Sequence, residues 1–324
     1  MIEKATIYEF NIPLSQEMGI RQGWIVHFIT KEKTSSWAEI SPLPKWSRET
    51  QNETLTQLYA QLAILKTEPI IKGLKKILAD NTLLPSVSSG LFSGLYALVR
   101  KGPPVVSLPV SGLLLGSYEQ IQKQIPILLQ QRIEHIKLKT RDLSTEQTHL
   151  IVKSIKDRVL IRLDINKTWS QKEVNAFLQP YTFTCFDYIE EPGVDLVNFE
   201  FPIGLDESLR EDNELCLENI SNLKALIIKP MLMGVGPRVH TLCKQAQAHH
   251  WMISLSSSFE TGIGLYQIAL FAEFFNIKGY PAGLDTMKFM MDDLLVKKHR
   301  IENGQVHFSA ISPKKELLKE LAYV

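Results

Sequence analysis

From about residue 104 onward, short apolar runs recur at regular intervals, and five of them end in charged residues. Lys137 and Lys139 lie in His135-Ile-Lys-Leu-Lys139, Asp164 in Ile161-Arg-Leu-Asp-Ile-Asn166 and Glu190 in Tyr188-Ile-Glu-Glu-Pro192. Asp206 lies in Gly204-Leu-Asp-Glu-Ser208 and Lys229 in Leu226-Ile-Ile-Lys-Pro230. The steps from Lys137 through these residues are 27, 26, 16 and 23, the length of a strand plus a helix. Eight runs of strand length are visible: Val105–Val110, Ile133–Lys139, Val159–Ile165, Phe186–Ile189, Ile203–Leu205, Leu226–Ile228, Met252–Leu255 and Gly279–Leu284. Amphipathic stretches such as Glu146–Lys156 and Gln171–Gln179 separate them. Strands alternating with helices predict an α/β barrel. The short step between Glu190 and Asp206 predicts a truncated helix there.

Residues 1–98 read as a separate α+β domain and residues 99–299 as the barrel. Ala5–Ile12, Trp24–Ile29 and Trp37–Pro44 have strand character, and residues 50–66 and 87–99 have helical spacing. Gly90 and Gly94 suit a helix against which another backbone packs closely. The tail, residues 300–324, ends in a charged, helix-like pattern over Pro313–Ala322 and is expected to fold back onto the N-terminal domain. The loop Ser15–Gly23, with Arg21, reads either as a lid or as a plain solvated loop.

Bulk properties exclude little and point to no large partner. A net charge of +1 gives no reason to expect nucleic acid. No run of about 18 apolar residues predicts a membrane span. The N-terminus lacks the features of a signal peptide. Three widely spaced cysteines, none in a CxxC, suit free thiols in a cytoplasmic protein. Oligomeric state is not legible.

Strand side chains alternate faces, so residues two apart share one. Ile136 and Leu138 then face the outer helices while Lys137 and Lys139 face the barrel axis. By the same logic Arg162, Asp164 and Asn166 share a face, Tyr188 lies with Glu190, and Ile227 with Lys229. Charges at the C-terminal ends of barrel strands sit where such folds keep their active sites. A set of structural salt bridges is the competing reading, but burying so many ions without function is costly. Asp164, Glu190 and Asp206 offer only hard oxygen ligands, which suits Mg²⁺, with Mn²⁺ as a substitute. A cation between lysines suits removal of a proton next to a carboxylate, because both stabilise the enediolate that forms. Glu191 and Glu207 should point away and support the set. His135 reads as a core or rim residue facing away from both lysines, and Asp285 as a structural residue. Ser254, Ser256 and Ser258 share a strand face and read either as carboxylate-binding hydroxyls or as a polar strand end.

These residues, in this order, resemble the enolase superfamily, in which a Lys or His base works with Mg²⁺. Within it, the chain is similar to the o-succinylbenzoate synthase family. Trp37-Ala-Glu-Ile-Ser-Pro-Leu-Pro44 with Ser47-Arg-Glu-Thr50, Pro85-Ser-Val87, Arg162-Leu-Asp-Ile-Asn166 and Asp206-Glu-Ser-Leu-Arg-Glu211 carry the likeness. So do Ser256-Ser-Ser-Phe-Glu260 and Gly283-Leu-Asp-Thr286. The resemblance implies a modified (β/α)7β TIM-type barrel with an α+β cap. It implies Mg²⁺-dependent loss of water from 2-succinyl-6-hydroxy-2,4-cyclohexadiene-1-carboxylate to give 2-succinylbenzoate, a step of menaquinone biosynthesis.

By that likeness Lys139 is the base, Lys137 stabilises the enediolate and Lys229 lies against the other face of the ring. Asp164, Glu190 and Asp206 hold the metal, and Arg162, Asn166, Ser256 and Ser258 contact a small carboxylate substrate. Met231, Met233 and Thr261-Gly-Ile-Gly264 depart from the family pattern. Two other functions share the layout: racemisation or epimerisation of N-succinyl amino acids or dipeptides, and a barrel that only binds.

Overall fold

The computed structural model describes residues 1–15, 18–196, 198–212, 215–277 and 279–323. The N-terminal part contains β1 (Ile2–Pro13), β2 (Ile20–Thr30) and β3 (Ser35–Ile40), then α1 (Gln51–Lys66), α2 (Ile70–Ala79) and α3 (Pro85–Val99). The three strands form an antiparallel meander, and α3 packs on its inner face. The close approach expected at the two helix glycines is present. A Cβ on Gly90 would lie 2.7 Å from the Glu39 carbonyl oxygen, and one on Gly94 would strike the Phe28 ring. Either side chain would push the helix off the sheet.

The second part holds β4 (Ser107–Pro109), β5 (Gly112–Leu114), α4 (Tyr118–Gln130), β6 (His135–Lys139), α5 (Thr145–Ile155), β7 (Leu160–Asp164) and α6 (Gln171–Leu178). It continues with β8 (Phe186–Glu190), β9 (Ile203–Leu205), α7 (Ser208–Glu211), β10 (Leu223–Ile228), α8 (Pro230–Met233), α9 (Pro237–His249), β11 (Met252–Leu255) and α10 (Gly262–Phe274). Strands β5 to β11 form one parallel seven-stranded sheet in chain order. Residues 282–283 close it into a barrel, with parallel bridges from Ala282 to Val110 and from Gly283 to Ser256. Helices α1, α4, α5 and α6 each start on a capping box: Thr50 with Glu53, Ser117 with Gln120, Ser144 with Gln147 and Ser170 with Glu173. Each box satisfies backbone N–H groups that a helix start otherwise leaves open. Between β8 and β9 there is no helix among the described residues, in line with the short step in sequence.

Two sequence expectations are corrected. The first barrel strand is Gly112–Leu114, not Val105–Val110. Pro109 has no N–H for a central strand, and Ser107–Pro109 instead pairs antiparallel with β13 (Gln305–His307), which pairs with β12 (Arg300–Glu302). The second concerns the tail. Pro313–Ala322 is not a helix: after a short turn at Lys315–Leu317, β14 (Lys319–Tyr323) pairs antiparallel with the open edge of β1. An unpaired strand edge offers a ladder that outweighs helical patterning, and exposed Lys319 and Glu320 suit an edge position. The tail is therefore divided, with residues 300–307 on the barrel side and the last strand on the N-terminal sheet. A second core, with Phe10, Ile12 and Ile25 against Met290, Leu294 and Leu295, joins the sheet to the segment after the barrel. No helix among the described residues is long and apolar enough to cross a membrane.

Candidate active site

Parallel register brings the charged residues together. Lys139 is paired with Asp164 across β6 and β7, Asp164 with Glu190 across β7 and β8, and Glu190 with Gly204 across β8 and β9. Asp206 follows two residues after Gly204, and Lys229 follows β10 directly. One level lower, Lys137, Arg162 and Tyr188 are in register. The predicted lysines and carboxylates therefore meet at the C-terminal end of the barrel.

All three carboxylates are fully buried. Lys137 Nζ lies 2.8 Å from Asp164 Oδ2 and 2.5 Å from Glu190 Oε1, and Lys139 Nζ lies 3.0 Å from Asp164 Oδ2. Lys229 donates to Asp206 Oδ2. Burial disfavours charge on every member, and the neighbours decide which ones keep it. Burial and the adjacent Asp164 push Glu190 up to about 8, against the pull of Lys137. For Asp164 burial is outweighed by Lys137 and Lys139, which hold it well below the usual carboxylate range. Asp206 is lowered too, by Lys229 and Lys137 against burial. Burial would depress Lys137, but Asp164, Glu190 and Asp206 hold its ammonium well above the usual value.

The fit to a divalent cation rests on the donors. Glu190 Oε2 and Asp206 Oδ1 are buried with no hydrogen-bond partner among the described residues, and such oxygens are costly unless something satisfies them. The donor set is all oxygen, as Mg²⁺ prefers. The ammonium groups now stand among the carboxylates, and no three His, Cys, Asp or Glu side chains among the described residues form a ready-made metal cluster. Binding a cation therefore requires the lysine side chains to shift aside. Glu191 supports the set as expected. Its Oε1 accepts the backbone N–H groups of Asp206 (2.7 Å) and Ser208 (2.9 Å), fixing the turn that carries Asp206.

A pocket opens above the charged cluster, lined by Lys137, Lys139, Glu190 and Lys229 on its floor side. Leu43 and Trp46 wall it from the N-terminal domain, and Ser256, Ser257, Ser258 and Phe259 from the barrel. Ser256 and Ser258 line the pocket, and Ser258 Oγ is buried with no hydrogen-bond partner among the described residues. Two residues expected to contact the substrate are already bonded within the protein. Arg162 reaches the pocket floor, but its guanidinium is taken up. Nε donates to Asp187 (2.9 Å), Nη1 to Ser254 (3.2 Å) and to the Pro281 carbonyl (2.8 Å), and the group lies 5.2 Å from the centre of the Tyr188 ring. It braces the barrel beneath the site. Asn166 is outside the pocket; its side chain donates to Glu207 Oε1 at 3.3 Å.

Two further readings change, those of His135 and Arg21. His135 shares the face of the lysines, as strict alternation demands, and its Nδ1 lies 3.0 Å from Asp187 at the bottom of the barrel. Asp285 is structural as expected, accepting the Leu113 N–H at 2.9 Å. Arg21 is neither lid nor solvated loop. It lies on β2, is 1% exposed, and donates to the backbone at Pro42 and Phe259. Ser257, Phe259 and the buried Glu39 and Glu260 were missed. A buried charge on the N-terminal strands leaves no periodic trace in sequence, since Thr261 and Gly264, which donate to Glu39, lie more than 200 residues away.

Glu260 gives a stability test. It is 1% exposed, and burial together with Glu39 pushes it up to about 7, although Arg21 opposes the shift. Glu39 is raised as well, by burial, with Arg21 pulling the other way. A carboxyl whose folded value exceeds its unfolded one contributes stability that is complete below the unfolded value and is lost as pH rises through the folded value. For Glu260 that window runs from about 4.3, the unfolded reference, to about 7. The loss is about 4 kcal/mol at most, at ~1.4 kcal/mol per pKa unit. Urea midpoints at pH 5 and pH 8 should therefore fall more for wild type than for Glu260→Gln. Equal slopes would contradict the assignment.

Residues 2–98 match the family described as "MenC, N-terminal domain". The o-succinylbenzoate synthase of Vibrio cholerae is 28% identical over 305 residues, covering 87% of this chain and 89% of that protein. Two solved structures share the fold. MenC from Desulfotalea psychrophila has a TM-score of 0.75 at 18% identity, covering 94% of this chain and 99% of that one. An enolase-superfamily member from Roseovarius nubinhibens, complexed with magnesium, has a TM-score of 0.77 at 16% identity, covering 100% and 99%. With charged strand ends, cap and barrel all accounted for, residues 2–98 carry the MenC N-terminal domain, and nearly nine-tenths of the chain is similar to an o-succinylbenzoate synthase.

Proposed function

We infer that this protein is an o-succinylbenzoate synthase, a hydro-lyase that converts 2-succinyl-6-hydroxy-2,4-cyclohexadiene-1-carboxylate to 2-succinylbenzoate. The observation that carries the reading is the meeting of Lys137, Lys139 and Lys229 with three buried carboxylates at the floor of a largely apolar pocket. Lys139, in neutral form, takes the proton from the ring carbon that bears the carboxylate. The electron pair moves into that carboxylate as an enediolate, and the Lys137 ammonium stabilises the new charge. The pair then returns to the ring as the carbon–oxygen bond breaks. Lys139 gives its proton to the departing hydroxyl, so water leaves and the ring becomes aromatic.

Asp164, Glu190 and Asp206 would hold a Mg²⁺ ion. When bound, it supplies positive charge against the carboxylate that receives the electrons. Lys229 would lie against the other ring face as a cation beside a π system. Ser256 and Ser258 would hold the substrate through their hydroxyls. The reaction is that of a cytoplasmic biosynthetic enzyme working on a small carboxylate.

Racemisation would need both Lys139 and Lys229 to exchange protons at one carbon. Dehydration needs proton chemistry only from Lys139. Lys229→Arg keeps the cation beside the ring and loses the proton acceptor, so dehydration should stay within about tenfold of wild type, the most that a poorly placed cation–π contact would cost. Racemisation of an N-succinyl amino acid by the same variant should vanish. A variant that loses dehydration completely would show that Lys229 takes part in proton transfer.

A further inference from the structure

Two walls of the pocket come from distant parts of the chain, and one buried side chain ties them together. Leu43 and Trp46 follow β3, whereas Ser256–Phe259 follow β11. Arg21 reaches both. Its Nη1 donates to the Pro42 carbonyl (3.0 Å) and its Nη2 to Ser41 Oγ (2.7 Å) and the Ser41 carbonyl, immediately before the first wall. Its Nε donates to the Phe259 carbonyl (3.0 Å), at the end of the second. Phe259 has φ of 62°, a conformation that costs a bulky residue about 1 kcal/mol or more and needs surrounding bonds to hold it.

Two buried carboxylates reinforce the same joint. Glu260 accepts the Ser258 N–H. Glu39, on β3, accepts Ser41 Oγ (2.6 Å), Thr261 Oγ1 (2.6 Å) and the Gly264 N–H (3.0 Å). No atom of Arg21 lines the pocket, so any effect on the reaction has to pass through the walls.

We propose that Arg21 is a positioning residue: its guanidinium clamps the cap wall to the serine wall and so sets the width of the substrate pocket. This rests on the proposed reaction only for its kinetic readout. A planar fork with five donors spans carbonyls on both sides, while a lysine ammonium presents all its donors from one nitrogen. Arg21→Lys should therefore keep the charge and release one wall.

The test combines kinetics with hydrogen exchange on the full chain. In Arg21→Lys, KM for the cyclohexadiene carboxylate should rise about tenfold with kcat within about threefold, since a loosened pocket binds the substrate less well before chemistry begins. Amide exchange should accelerate at residues 43–47 and 256–259 and stay unchanged in α5. A purely structural arginine would lower the melting temperature, raise exchange uniformly and leave KM alone, and that result would overturn the clamp. If Arg21→Lys does not fold, Ser41→Ala decides, since it removes one acceptor and leaves the guanidinium in place. A smaller rise in KM and in exchange at the same two segments supports the clamp, and no change in either overturns it. If wild type shows no turnover, the proposed reaction fails, and the exchange pattern alone still decides the clamp.

Discussion

Replacing Lys139 with Ala should reduce kcat for dehydration by about 10⁴-fold or more, because in the proposed reaction one side chain serves as both base and acid and each role is worth about 10²–10⁴. Lys139 is suited to this. It stands 3.0 Å from Asp164, at the level of Glu190, and opens into the pocket. Lys139→Arg should be nearly as inactive, since a guanidinium stays protonated and cannot accept the ring proton. Charge alone would be preserved in that variant, so the pair separates proton transfer from electrostatics. The measurement is single-turnover dehydration followed by the absorbance of the aromatic product, with product binding to show that the site is intact. If Lys139→Arg retained a tenth or more of wild-type kcat, the base would have to lie elsewhere.

Glu190→Gln should reduce turnover by about 10²–10³-fold, the range for losing one preorganised electrostatic contact. Its effect on stability should have the opposite sign in metal-free protein. Glu190 is buried beside Asp164 and pushed up to about 8, so a neutral amide removes a like-charge conflict at higher pH. At pH 8.5 the metal-free variant should melt no lower than wild type. Added Mg²⁺ should then raise the melting temperature of wild type and not of the variant, because a ligand stabilises only the state it binds. An equal Mg²⁺ response in both proteins would remove Glu190 from the ligand set.

How much of this was legible in sequence depends on whether the signal was local. Period-two alternation placed Lys137, Lys139, Asp164 and Glu190 on the interior face, because each lies in a strand buried on its outer side by helices. Apolar runs and helical spacing likewise marked most barrel strands and several helices. Failures came where a distant partner decides. Val105–Val110 has the composition of a barrel strand, yet Pro109 and the hairpin at 300–307 draw part of it into another sheet. Pro313–Ala322 carries helical patterning, but the free edge of β1 makes it a strand. Arg162 sits on the correct face and at the pocket floor, and only coordinates show that Asp187, Ser254 and Pro281 already occupy its donors. Arg21 is the clearest case: a lone arginine in a polar stretch gives no hint that it joins β2 to a carbonyl 238 residues away.

The central claim is that Asp164, Glu190 and Asp206 share one divalent cation that makes proton removal by Lys139 possible. Its most direct test is turnover of 2-succinyl-6-hydroxy-2,4-cyclohexadiene-1-carboxylate by purified protein, first stripped with EDTA and then supplied with Mg²⁺. The stripped protein should be inactive, and activity should return with Mg²⁺ at saturation. Turnover that survives EDTA unchanged, or that fails to appear with Mg²⁺ present, would contradict it.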